Sequence, residues 1–193
     1  MNLKKLLLVL ATIALTFQLQ LAHAANPKVK METSKGTIII ELYADKAPKS
    51  VANFLSYVNA GTYDGTIFHR VIKDFMNQGG GFTPDYTKVD TKDPIQNEAD
   101  NGLKNLKYTV AMARTGEPHS ATNQFFINTA DNAFLDHTGK SMRGWGYAVF
   151  GYVIEGENIV GIISRAATGP GGPFSKDVPR TPILIEKMTE IKQ

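Results

Sequence analysis

The 193-residue chain contains no cysteine, one tryptophan and no block of like charge. Without cysteine there is no disulfide framework and no thiolate chemistry, so stability rests on an ordinary apolar core. Charged residues make up 20% of the chain and nearly cancel, 21 Lys and Arg against 18 Asp and Glu, giving a formal net charge of +3. They are interspersed, which leaves no electrostatic footprint for nucleic acid. No internal repeat and no low-complexity tract is present. No serine stands in a Gly-x-Ser-x-Gly pattern, so a hydrolase has no visible nucleophile. His69, His119 and His137 are not spaced as metal ligands. Gly79-Gly80-Gly81 lacks the Gly-Lys-Ser/Thr ending of a phosphate loop. Neither a metal nor another cofactor is expected.

The beginning of the chain has a distinct grammar. Lys4 and Lys5 precede an apolar stretch over 6–15, and Ala22-His23-Ala24 places small side chains at a cleavage position. This reads as a secretory signal peptide over 1–24. The apolar stretch is shorter than the roughly 20 residues a bilayer span needs, so no membrane span is expected after cleavage. The mature chain would run from 25 to 193, 169 residues and one domain. Removing Lys4 and Lys5 takes its net charge from +3 to +1. A periplasmic location is expected, with secretion as the alternative.

Within 25–193, β-forming stretches at 30–33 and 37–42 flank Ser34-Lys35-Gly36 and predict a hairpin. Pro48 followed by Val51, Phe54, Leu55 and Val58 at helical spacing, with Gly61 closing the run, predicts a helix. A second helix is predicted over 157–165 from the stripe Ile159, Val160, Ile162 and Ile163, ended by a breaker at 169–173. Short β-rich pieces at 67–72, 108–114, 124–128, 148–154 and 183–191 predict a mainly β barrel or sandwich rather than a parallel sheet. Residues 82–106 carry prolines, aspartates and Asn101-Gly102 without apolar periodicity, and are expected to form a long surface loop.

Two stretches carry a resemblance, FHRVIKDFMNQGGGF over 68–82 and VAMARTGEPHSATNQFFIN over 110–128. In order and spacing, nearly all of 29–191 resembles the cyclophilins. The resemblance implies a closed eight-stranded antiparallel β-barrel capped by two α-helices. It implies peptidyl-prolyl cis-trans isomerase activity on proline-containing peptides and unfolded exported proteins, in a monomer. Arg70 matches the catalytic arginine. Phe75, Met76, Gln78, Phe126, Phe134 and Leu135 match the groove for the substrate proline. Ala113, Arg114 and Thr115 match the edge that holds the substrate backbone, and Gln124 and Tyr147 match further lining positions. The alternative reading is a proline-binding chaperone or adhesin without essential turnover.

These residue types suit the reaction. Rotating an X-Pro bond costs about 18–20 kcal/mol because amide resonance is lost. Twisting shrinks the carbonyl dipole and returns a lone pair to the imide nitrogen, so an apolar groove with one permanently charged donor favours the twisted state. The chain also departs from the better-known eukaryotic members. Phe134 stands where they have tryptophan, which implies weak cyclosporin binding. Arg114 stands for asparagine, Tyr147 for histidine, and the segment 137–146 is longer.

Overall fold

The structure is a computed structural model that describes residues 26–192, so the signal peptide expected over 1–24 lies outside the described residues. The predicted hairpin forms from β1 (Lys28–Thr33) and β2 (Gly36–Leu42), in register with Met31 opposite Ile38. Strand alternation sends Val29, Met31, Ile38, Ile40 and Leu42 inward, each fully buried.

Helix α1 (Pro48–Val58) follows, burying Val51, Phe54, Tyr57 and Val58 on one face. Its own N-cap residue, Ala47, supplies no side-chain bond. Glu98 does so from 48 and 49 residues away: its carboxylate accepts the N–H of Lys49 at 3.0 Å, the N–H of Ser50 at 2.8 Å and the Ser50 hydroxyl at 2.7 Å. The anion meets otherwise unpaired amides at the positive end of the helix dipole.

The remaining elements are β3 (Thr66–Ile67), β4 (Arg70–Ile72), β5 (Met76–Gly79), β6 (Thr109–Met112), β7 (Phe125–Asn128), β8 (Val149–Glu155), α2 (Glu157–Ser164), β9 (Thr168–Gly171), β10 (Phe174–Pro179) and β11 (Leu184–Ile191). Nine strands form one curled antiparallel sheet in the order β3-β11-β1-β2-β8-β6-β7-β5-β4, and β9 pairs with β10 separately.

The mainly β class with two helices is as expected. The closed eight-stranded count is corrected to nine hydrogen-bonded segments, whose order ends at β3 and β4. The single strand expected over 67–72 is interrupted at Phe68 and His69. β3 pairs with β11 while β4 pairs with β5, so the two ends of the ladder are consecutive in the chain.

Inside the sheet, Phe54 of α1 meets Tyr63 at 5.3 Å, Phe125 at 5.5 Å and Phe150 at 5.1 Å between ring centroids, and all four are buried. Edge-to-face and tilted contacts of this kind add to the area term of burial.

The segment 82–106 forms no strand, as expected, but it is pinned. Asn97, Asn101 and Asn105 recur every fourth residue. The Asn97 amide donates to the carbonyls of Pro118 and Gly146, Asn101 to that of Val149, and Asn105 to those of Leu135 and Tyr147. Side-chain amides thus satisfy carbonyls that a loop cannot pair through a ladder.

Candidate active site

Period-two alternation gives the β4-β5-β7-β6 region two apolar faces. Val71, Phe125, Ile127, Val110 and Met112 point into the main core. Their neighbours Met76, Phe126 and Ala111 point the other way and form a second, smaller cluster with Leu135 and Val149, to which Phe75, Ala113 and Tyr147 add half-buried side chains. This outer cluster is the floor of a groove of about 390 Å³, open mouth included.

The strand register sets the polar wall. Arg70 is opposite Gln78 across β4–β5, Gln78 is opposite Phe126 across β5–β7, and Phe126 is opposite Ala111 across β7–β6, one row over four strands. Arg70 Nη1 donates to Gln78 Oε1 at 3.3 Å, and Gln78 Nε2 donates to Gln124 Oε1 at 2.9 Å. Arg70 is half-buried and forms no ion pair within the described residues. Among the described residues no carboxylate lines the groove, so the guanidinium faces an apolar floor without a counter-ion there.

The far wall is built around Tyr147. The Arg114 guanidinium stacks 4.6 Å above its ring, and Phe126 meets it edge-on at 5.7 Å. Arg114 is locked by Nε to the Gly146 carbonyl at 2.9 Å and by Nη1 to the carbonyls of Thr115 and Gly116. Gly146 has φ of 70°, and a Cβ there would lie 2.6 Å from the Leu135 carbonyl oxygen, so the turn that presents Tyr147 needs glycine. Behind this wall His119 and His137 meet Trp145 edge-on at 4.7 and 5.3 Å, which is how the longer 137–146 segment packs.

Of the residues singled out from sequence, the groove gathers Arg70, Phe75, Met76 and Gln78 on one side and Ala113, Arg114, Phe126, Leu135 and Tyr147 on the other. Thr115 and Gln124 instead line an adjoining depression. Phe134 stands at the outer rim, 75% exposed and stacked on Phe75 at 5.5 Å, because the short 3-10 turn Ala133–Leu135 directs Leu135 inward and its neighbour out.

Sequence reasoning passed over the supports. Asn132 donates to the Phe75 carbonyl and to Asn128, and Asn128 donates to Asn105, which holds Leu135 and Tyr147, so one buried amide chain links both sides of the groove. His69, weighed earlier only as a metal ligand, is 2% exposed between Phe82 at 4.8 Å and Phe174 at 5.6 Å. Burial lowers its pKa to about 4, against smaller opposing effects of hydrogen bonding at Ile67 and Gln124. It is therefore neutral near pH 7 and adds no charge beside Arg70.

Residues 28–190 match the family described as cyclophilin type peptidyl-prolyl cis-trans isomerase/CLD. The chain is 61% identical to a peptidyl-prolyl cis-trans isomerase of Streptomyces antibioticus, over 82% of this chain and 95% of that one. It is 53% identical to isomerase B of Escherichia coli, over 83% and 98%. With isomerase A of Dickeya dadantii it shares 50% identity over 96% of each. Its fold matches a crystal structure of a Cryptosporidium parvum cyclophilin in the presence of the dipeptide Ala-Pro, with a TM-score of 0.68 at 24% identity, covering 86% of this chain and 99% of that one.

Proposed function

Because the chain belongs to the cyclophilin-type peptidyl-prolyl cis-trans isomerase family, we propose that it turns X-Pro bonds in exported proteins, with Arg70 as its electrostatic catalyst. The observation that carries this is the row Arg70-Gln78-Phe126, which sets the Arg70 guanidinium beside an apolar floor with no carboxylate among the described residues that line the groove.

Proline packs on Phe126, Met76 and Phe75, while the backbone edge at Ala113–Thr115 holds the flanking chain. As the C–N bond twists, the imide nitrogen becomes pyramidal and accepts a hydrogen bond from Arg70. No bond is made or broken, and no proton leaves the guanidinium. A millionfold acceleration needs about 8 kcal/mol of selective stabilisation. A hydrogen bond to a charged group contributes about 1.5–3 kcal/mol, so most of the effect comes from the low polarity of the groove and from holding the substrate near the twisted geometry.

The protein is exported through residues 1–24 and acts as a monomer in the periplasm. The basic, apolar and small-residue order of that segment supports the reading. N-terminal sequencing of the protein from fractionated cells tests it, with a start at Ala25 expected. Cyclosporin binds weakly, since Phe134 offers no indole N–H at the rim. Acceleration of cis–trans exchange in a short Ala-Pro peptide tests the activity. Folded protein without acceleration would leave a proline-binding chaperone as the better account.

A further inference from the structure

Beside the proline groove, and sharing Gln78, Ala113 and Arg114 with it, lies a second depression of about 590 Å³, open mouth included. Its lining is polar and of one sign. It contains Lys88 and Arg114, the hydroxyl residues Thr91, Thr115, Ser120 and Thr122, and, among the described residues, no carboxylate.

The backbone places Lys88, whose side chain is exposed, and side-chain bonds place Arg114. The main chain at Lys88 is held by a backbone bridge to Phe82 and by the bond from the neighbouring Val89 N–H to the Gly81 carbonyl at 3.1 Å. Gly81 itself approaches Gln124 so closely that a Cβ would lie 2.6 Å from its side chain, which brings the 81–89 loop against the depression. Arg114 spends Nε and Nη1 on carbonyls of its own wall and stacks on Tyr147, while its Nη2 has no hydrogen-bond partner among the described residues. Neither cation has an ion-pair partner there.

We infer that this depression makes the enzyme selective for proline peptides carrying an aspartate or glutamate side chain close to the proline, with Lys88 and Arg114 as the specificity-determining residues. The inference rests on the isomerase reading of the adjoining groove. A carboxylate there meets the Lys88 ammonium and the Nη2 edge of Arg114, whereas the hydroxyls of Thr115, Ser120 and Thr122 already donate within the chain. A lysine in the same place meets two like charges and no acceptor anion.

The test uses otherwise identical short proline peptides carrying Glu, Gln or Lys at one position after another on either side of the proline. Kd and kcat/KM are measured by NMR exchange with the purified protein. At one position Glu is expected to exceed Gln by about three- to tenfold in both quantities, with Lys below Gln. The Glu advantage is expected to shrink to less than about twofold in Lys88→Gln, and to fall with added salt in the wild type.

Equal values for Glu, Gln and Lys at every position, with normal turnover, would overturn the inference and leave the isomerase reading intact. Selective binding of Glu peptides without any turnover would overturn the isomerase reading and leave the carboxylate preference to a binding groove. An undiminished Glu advantage in Lys88→Gln would overturn the role given to Lys88.

Discussion

Arg70 Nη1 lies 3.3 Å from Oε1 of Gln78, its partner directly across the β4–β5 ladder. The register that makes the strand pair thus also aims the guanidinium, and Gln124 holds the far end of Gln78.

Gln78→Leu keeps the bulk of that side chain and removes the tether. Its kcat/KM on a proline peptide should fall about tenfold, near 1.4 kcal/mol, with most of the loss in kcat because Arg70 becomes less well oriented. Steady-state exchange kinetics check this, and a fall confined to KM would mean that Gln78 serves binding alone.

His69 gives a stability slope with pH. Its folded pKa is about 4, below the ordinary 6.5, because burial disfavours the charged ring. The unfolded chain therefore takes up a proton that the folded one refuses as pH falls from 6.5 toward 4. The stability associated with the neutral ring is complete above that window and lost through it, on the order of 3 kcal/mol in all. Urea unfolding across this range should show a steeper pH dependence in wild type than in His69→Phe. Identical slopes would contradict the neutral buried ring.

Glu98 predicts a cost without a catalytic effect. Glu98→Ala leaves three donors of Lys49 and Ser50 without their anion. It should lower unfolding free energy by about 1–2 kcal/mol, with Glu98→Gln between it and wild type. Peptide turnover by the folded fraction should stay unchanged, which separates a distant cap from a site residue.

The two phenylalanines should behave differently. Phe126, 4% exposed, forms the groove floor, whereas Phe134 is 75% exposed at its rim. Phe126→Ala should weaken substrate binding and slow turnover together. Phe134→Ala should change kcat/KM by less than about threefold, since little buried area is lost. Kinetics of both variants against the same peptide decide it.

Much of this was legible in the sequence where local chemistry determines structure. Ser34-Lys35-Gly36 announces the β1–β2 hairpin, Pro48 with its apolar spacing announces α1, and the two signature stretches announce the groove. What stayed hidden depends on distant partners. β5 reads Met-Asn-Gln-Gly, without β-branched residues, and becomes a strand only because β4 and β7 pair with it on both sides. The residues from Gly169 to Pro173 read as a breaker, yet they close the β9–β10 pair, with Gly172 at φ of 50° in the turn. The cap from Glu98 to α1 spans 48 residues, so no local window holds both partners. Lys88 lies in a loop without periodicity, and only the bridge to Phe82 brings it beside Arg114.

The most direct test of the central claim compares Arg70→Ala with wild type in catalysed cis–trans exchange of an Ala-Pro peptide, with peptide affinity and folding measured on the same samples. Arg70 acting on the twisted state predicts a folded variant that binds peptide within about threefold of wild type yet turns over about ten- to a hundredfold more slowly. A folded variant that retains full turnover, or that loses binding in proportion to rate, would contradict it.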